Sequence, residues 1–269
     1  MPIYDQTFRH YDGPRQFRAL WWPIAKQTVR PLLKTRFTWA LLICILGILI
    51  FISIGLFSLA KLRDLDPRTT ADMARVVGTV VPIGSDLKLN TLFHAFAEWT
   101  GMLQWLLVLL AQGTISADKK HNALPLYFSR PLTGRDYIIG KVLGLALLPA
   151  TAVLAGTFLI FVQAAAYVPN SFTYAASQLP ALLIACSVAT FRIFVVAMTM
   201  AAFSSVTSNS RTAGVFYIGF WLITKMVGDS LWMSTGDPVF GALSPSNSLM
   251  MLSIALLGVN WDLLDSTRS

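Results

Sequence analysis

The chain has 269 residues, 55% hydrophobic and only 13% charged, with a formal net charge of +8 and a mean hydropathy of +0.62. Soluble domains carry about 25% charged residues, so this composition leaves too little polar surface for a soluble enzyme and points to a polytopic membrane protein. The positive charge does not indicate nucleic acid, because it is concentrated in the first 36 positions and between residues 114 and 141, as expected of segments facing the cytoplasm and anionic headgroups.

The chain opens with a polar, aromatic leader over residues 1–13. Residues 15–36 then predict an amphipathic helix lying along the membrane surface, since Phe17, Leu20, Trp21 and Ile24 recur at i, i+3, i+4 and i+7 among Arg15, Arg18, Lys26, Arg30 and Lys34. Its periodicity fades past Pro23 and Pro31, which predicts a break. These first 36 residues lack the apolar core of a signal peptide, so the internal spans are expected to drive insertion. The first span covers residues 37–60 without a charge, enough for the ~20 residues that a bilayer requires. A charge-balanced loop over 61–88 leads to a second span at 89–112, which carries His94 and Glu98.

A third span over 137–168 is longer than a crossing needs, so it is expected to start outside the bilayer and to tilt, with a kink at Pro149. A turn at 169–177 precedes a fourth span at 178–206 containing Arg192. The polar connector 207–212 leads to a fifth, shorter span at 213–228. The last apolar piece, 249–261, is too short to cross comfortably and counts as a partial sixth. The expected fold is therefore an all-α integral membrane protein with five to six transmembrane helices, residues 37–269, behind a leader and amphipathic elbow helix at 1–36.

Between the second and third spans lies a polar, basic loop, 113–141, with Lys119, Lys120, Arg130, Arg135 and Lys141 against Asp118 and Asp136. Placing it in the cytoplasm with the N-terminus agrees with the basic-residue count, since the 61–88 loop is offset by Asp64, Asp66, Asp72 and Asp86 and the last loop has no basic residue. Leu124, Leu126, Tyr127 and Phe128 lie among these charges, as in a short helix that docks into a groove on a soluble partner. Asp118 is expected to cap that helix.

Catalytic signatures are missing: there is no HExxH, GxSxG or Walker-type phosphate loop. His10, His94 and His121 are far apart, and Cys44 and Cys186 sit in apolar runs without metal-ligand spacing. No catalytic residue, metal or cofactor is therefore expected in this chain. Three intramembrane charges need a reason, because an ionised group at the bilayer centre costs about 2.5–3.5 kcal/mol on insertion scales. Glu98 lies four residues after His94, and a pair between Glu98 and Arg192 satisfies both charges. Lys225 is spaced to pair with Asp229. These groups form either a substrate or proton path or ion pairs that fix helix packing.

The order formed by Asp118, Leu124, Pro125, Leu126, Ser129, Arg130, Pro131, Leu132, Tyr137, Gly140 and Lys141 resembles the cytoplasmic loop of ABC (ATP-binding-cassette) transporter permeases of the type-2 exporter class. The leader FRHYDGPR is similar to the N-terminal motif of a bacterial subset of these permeases, and SSVTSNSRTAG at 204–214 is similar to their second cytoplasmic turn. The resemblance implies a permease subunit in a bacterial cytoplasmic membrane, with a second permease copy or homologue and a separate ATPase subunit that holds ATP and Mg. It implies that Asp118, Lys119, Lys120, Asn122, Leu124 and Leu126 contact the ATPase, while Arg130, Pro131, Arg135 and Lys141 anchor the loop against headgroups. It also implies six spans, against the short last piece here. The alternative is a membrane anchor or scaffold subunit without transport activity.

Overall fold

The computed structural model describes residues 21–63, 89–123, 133–168 and 170–259. The leader motif at 8–15, the start of the amphipathic stripe, the 61–88 loop beyond Arg63, and Leu124, Leu126, Arg130 and Pro131 lie outside the described residues. Among the described residues the chain is all α-helical, with nine helices: α1 (Trp21–Lys34), α2 (Arg36–Arg63), α3 (Leu89–Leu109), α4 (Ser116–Lys120), α5 (Gly134–Ala166), α6 (Ser171–Val206), α7 (Ser210–Thr235), α8 (Pro238–Gly241) and α9 (Pro245–Leu257). Three of them, α2, α5 and α6, are long and apolar enough to cross a membrane. At 21 and 26 residues α3 and α7 have the length as well, with a more polar composition.

Helix α1 buries Ile24, Ala25, Thr28 and Leu32 and turns Lys26, Arg30 and Lys34 outward, the single apolar stripe of an amphipathic helix. It runs unbroken through both prolines. Pro23 falls in the first turn, where the missing N–H has no helical acceptor, and Pro31 sits where Thr35 Oγ1 returns a hydrogen bond to its carbonyl at 3.2 Å.

The long helices form a bundle in which α5 packs most extensively against α6 and α1, and α3 lies against α2, α5 and α6. At about 1.5 Å per residue, the 33 residues of α5 reach about 50 Å, well past a hydrocarbon core of about 30 Å. The excess leaves its first two turns among the loops. They are started by a capping box in which Thr133 Oγ1 accepts from Asp136 N–H at 3.2 Å and the Asp136 carboxylate accepts from Thr133 N–H at 3.3 Å. Helix α6 begins at Ser171, so most of the expected turn at 169–177 is helical. Its segment SFTYAAS holds no glycine or proline, and the reversal is made by Asn170 in the left-handed region at φ 63°.

The bundle shows large apolar side chains on its outside, including Ile43, Leu46, Ile50 and Ile54 on α2 and Leu222, Ile223 and Met226 on α7. In lipid these faces need no cover, and apolar burial does little to draw helices together. Close approach and polar contacts do that instead. Gly140 and Gly144, one turn apart on α5, bring its backbone against α1: a Cβ at Gly140 would fall 2.7 Å from Trp21 O, and one at Gly144 2.6 Å from Thr28 Cβ. Ser53 Oγ on α2 donates to Gln163 Oε1 on α5 at 2.8 Å.

Helix α9 starts at Pro245 and stops at Gly258, which takes φ 63°. Its 13 residues extend about 20 Å, short of a full crossing. It is held by side chains from two neighbours. His94 Nδ1 lies 2.8 Å from Ser253 Oγ, Asn90 Nδ2 donates to Leu257 O at 2.6 Å, and Asn247 Nδ2 donates to Asp229 Oδ1 on α7 at 2.7 Å.

Candidate functional site

The loop end of the bundle is built around α4, a single helical turn that is bonded to α5, α6 and the first residue of α7. Its first N–H groups have no cap from their own segment. Ser204 on α6 supplies one from outside: its Oγ accepts from Ile115 N–H and Ser116 N–H, each at 3.0 Å, and donates to Gln112 O at 3.0 Å. Lys119 Nζ reaches across to Ser205 O at 2.7 Å. These bonds fix α4 to the junction of α6 and α7, where Ser116 Oγ also meets Ser210 Oγ at 3.2 Å.

The other attachment runs to α5. Asp118 Oδ2 accepts from Tyr137 O–H at 2.8 Å and pairs with Lys141 Nζ at 2.7 Å, and the same ammonium donates to Thr114 O at 2.8 Å. Lys141 also lies over the Tyr137 ring, 5.5 Å from its centroid. Tyr137 and Lys141 are one turn apart on α5, so both point at the same carboxylate. Asp118 is therefore the third residue of α4 and a bridge to α5 rather than its cap. Lys141 is 5% exposed and points into the protein, with two of its three N–H donors on Asp118 and Thr114, so it does not anchor the loop from the outside as expected. Arg135 is exposed on the first turn of α5.

Lys120, His121 and Asn122 form the exposed end of α4, where Asn122 adopts φ 49° and Ala123 N–H returns to Asp118 O at 2.9 Å. Between α4, the end of α3, α5 and α1 lies a cavity of about 300 Å³, lined on the α1 side by Gln27, Thr28, Pro31, Leu32 and Thr35 and on the other by residues including Asp118 and Lys141.

The intramembrane charges are placed as pairs. Arg192 Nη1 lies 2.6 Å from Glu98 Oε1 and 3.1 Å from Ala97 O, joining α6 to α3. Gly101 makes room for it, since a Cβ there would lie 2.8 Å from Arg192 Nη2. The Nδ1 of His94 meets Ser253 Oγ on α9. Lys225 Nζ lies 3.1 Å from Asp229 Oδ2 and 3.4 Å from Asn247 Oδ1, closing a three-membered network between α7 and α9. Among the described residues no cluster of metal-ligating side chains occurs.

Sequence reasoning paired Glu98 with Arg192 and Lys225 with Asp229 through charge and spacing. It missed Ser204, Tyr137 and Thr114 as the groups that hold α4. A serine-rich connector gives no sign that one hydroxyl will cap a helix nearly 90 residues away, whereas the spacing of Tyr137 and Lys141 was a usable signal.

An all-α bundle with membrane-length helices, a surface-type helix at its start and a loop helix bonded to three long helices defines a polytopic membrane protein with an organised extramembrane loop. A family model described as "ABC-2 family transporter protein" matches residues 22–252. The chain belongs to that family, as a membrane component of an ABC transport system. A search of the curated proteins and a search of the solved structures each gave no match.

Proposed function

We propose that this chain is the permease subunit of an ATP-driven exporter in a bacterial cytoplasmic membrane, N-terminus inside, acting with a second permease copy and two copies of a separate ATPase that holds ATP and Mg. The observation that carries the reading is the family match across 22–252, which takes in α4 and the helices that hold it. In this reading the 113–141 loop docks on the ATPase through Lys119, Lys120 and Asn122, together with Leu124 and Leu126. Asp118 lies behind that face and ties it to α5. Arg130, Pro131 and Arg135 are the proposed anchors of the loop against the headgroups. ATP binding closes the ATPase pair and moves α4. Because α4 is bonded both to α5 and to the α6–α7 junction, its displacement biases the whole bundle between two states.

Affinity purification from native membranes with mass spectrometry of bound proteins tests this. A stoichiometric protein carrying a Walker motif is expected; Lys119→Glu/Lys120→Glu is expected to release it while the permease still inserts, and Lys120→Glu alone, which keeps the bond from Lys119 to Ser205, to weaken its retention. Full retention of the ATPase by the doubly reversed protein places the interface elsewhere. Recovery with non-ATPase membrane proteins alone would make the chain a scaffold.

A further inference from the structure

The cavity between α1 and the loop helices has a wall chemistry that the proposed ATPase docking does not use. Its hydroxyls are already committed as donors. Thr28 Oγ1 donates to Ile24 O at 3.0 Å, Thr35 Oγ1 to Pro31 O at 3.2 Å, and Thr114 Oγ1 to Ala111 O. What these side chains can still offer a ligand is oxygen lone pairs. Pro31, which lines the same cavity, has no N–H to give the carbonyl of Gln27 four residues back, so that helical acceptor loses its ordinary partner. Asp118 adds a carboxylate and Lys141 a buried ammonium, side by side at 2.7 Å. The cavity is thus rich in acceptors, carries one charge of each sign, and sums to zero.

The complement of such a wall is a zwitterion whose cation bears N–H donors. Position narrows the source. Helix α1 is amphipathic and lines the cavity, and Trp22 and Leu33 on α1 and Phe37 and Trp39 at the start of α2 are exposed apolar groups. Aromatic and amphipathic side chains of this kind sit at the headgroup layer of a bilayer. A cavity of about 300 Å³ falls at the lower end of small-ligand sites of about 300–1,000 Å³ and suits a headgroup, not a whole lipid.

We propose that this cavity binds the headgroup of a primary-ammonium phospholipid, its phosphate toward Lys141 and its ammonium toward Asp118 and the threonine oxygens. A phospholipid whose quaternary ammonium has no N–H cannot make the second set of bonds. Bound lipid then stands between α1 and the turn that carries α4, so that membrane composition bears on the loop's position. The site is independent of the partner proposed above, because it needs only this chain and lipid.

The test is native mass spectrometry of the purified, delipidated full-length chain, given equal amounts of phosphatidylethanolamine and phosphatidylcholine with matched acyl chains. A preference of about ten-fold for phosphatidylethanolamine is expected, the factor that one charge-assisted hydrogen bond supplies. Thr28→Val/Thr35→Val, which keeps each side chain's shape, and Ala111→Leu, which fills the cavity wall, are each expected to bring the ratio close to one with thermal unfolding little changed. Should Ala111→Leu fail to fold, the threonine pair decides by itself. Soluble phosphoethanolamine separates the two sources of this chemistry: adducts with phosphatidylethanolamine alone support a lipid site, while equal binding of the free headgroup would overturn the lipid assignment in favour of a soluble ligand. A lipid ratio near one in the unaltered protein, or one that both variants leave unchanged, overturns the proposal.

Discussion

Arg192 shows how single residues are tolerated inside this bundle. Its side chain is 4% exposed and meets Glu98 at 2.6 Å, with a backbone carbonyl as a second acceptor and a glycine opposite to admit the guanidinium. Removing one member of a buried pair strands the other charge, which costs about 3–5 kcal/mol, whereas replacing both is often nearly neutral. Arg192→Met is therefore expected to be destabilised by that order in detergent unfolding, and Arg192→Met/Glu98→Gln to recover most of the loss. A substrate path through this pair predicts a different result, with the double variant stable but inactive. Ser204 is the matching case at the loop end. Ser204→Ala leaves the N–H groups of Ile115 and Ser116, at the start of α4, without their acceptor, and a loss of about 1–3 kcal/mol is expected, with faster amide exchange at these two residues as the local readout.

Between elements, lipid changes what attraction means. Apolar faces of α2 and α7 lie outward without penalty, so contacts between helices must come from close approach and polar bonds. Helix α1 depends on Gly140 and Gly144. Any larger side chain at Gly144 would meet Thr28 Cβ and Ala25 O, the latter at 3.0 Å. Gly144→Leu is expected to dislodge α1 from α5, read as modification of a cysteine placed at the buried Ile24, while a leucine at Gly134, where nothing lies near, leaves that cysteine protected. Helix α9 depends instead on hydrogen bonds, because 13 residues are too few to be held by spanning. Asn247→Leu is expected to loosen α9 selectively, seen as raised hydrogen exchange over Pro245–Leu257 with little change in α5.

For the whole molecule, orientation follows from charge. In the proposed orientation the positive-inside bias would put the loop that carries α4 on the same side as the N-terminus. Single cysteines at the exposed positions Lys120 and Arg135 are expected to react with an impermeant reagent only when the N-terminal side is accessible, while one at exposed Met233 near the end of α7 reacts from the other face. Labelling of both sets from one face would invert or break the topology. The extra length of α5 belongs to this scale as well: its first turns carry Tyr137 and Lys141 to the loop, so one continuous helix connects α4 to the middle of the bundle.

The all-α membrane architecture was legible from composition and long apolar runs, because spanning segments must satisfy every backbone group within themselves and are local by nature. The pairing of Glu98 with Arg192 was legible for a related reason, since a charge in lipid must find its opposite and few were available. Element ends were less so: the start of α6 at Ser171 and the unbroken α1 depend on how Asn170 and Pro31 are accommodated, which spacing alone does not reveal. Only the tertiary structure decided that Asp118 bridges to α5 instead of capping its own helix, that Lys141 turns inward from the headgroups, that Ser204 holds α4, and that an acceptor-rich cavity lies behind it. These are meetings between residues 19 to 114 positions apart. Their geometry is set by how closely two helices approach, and no local pattern in the chain encodes that distance.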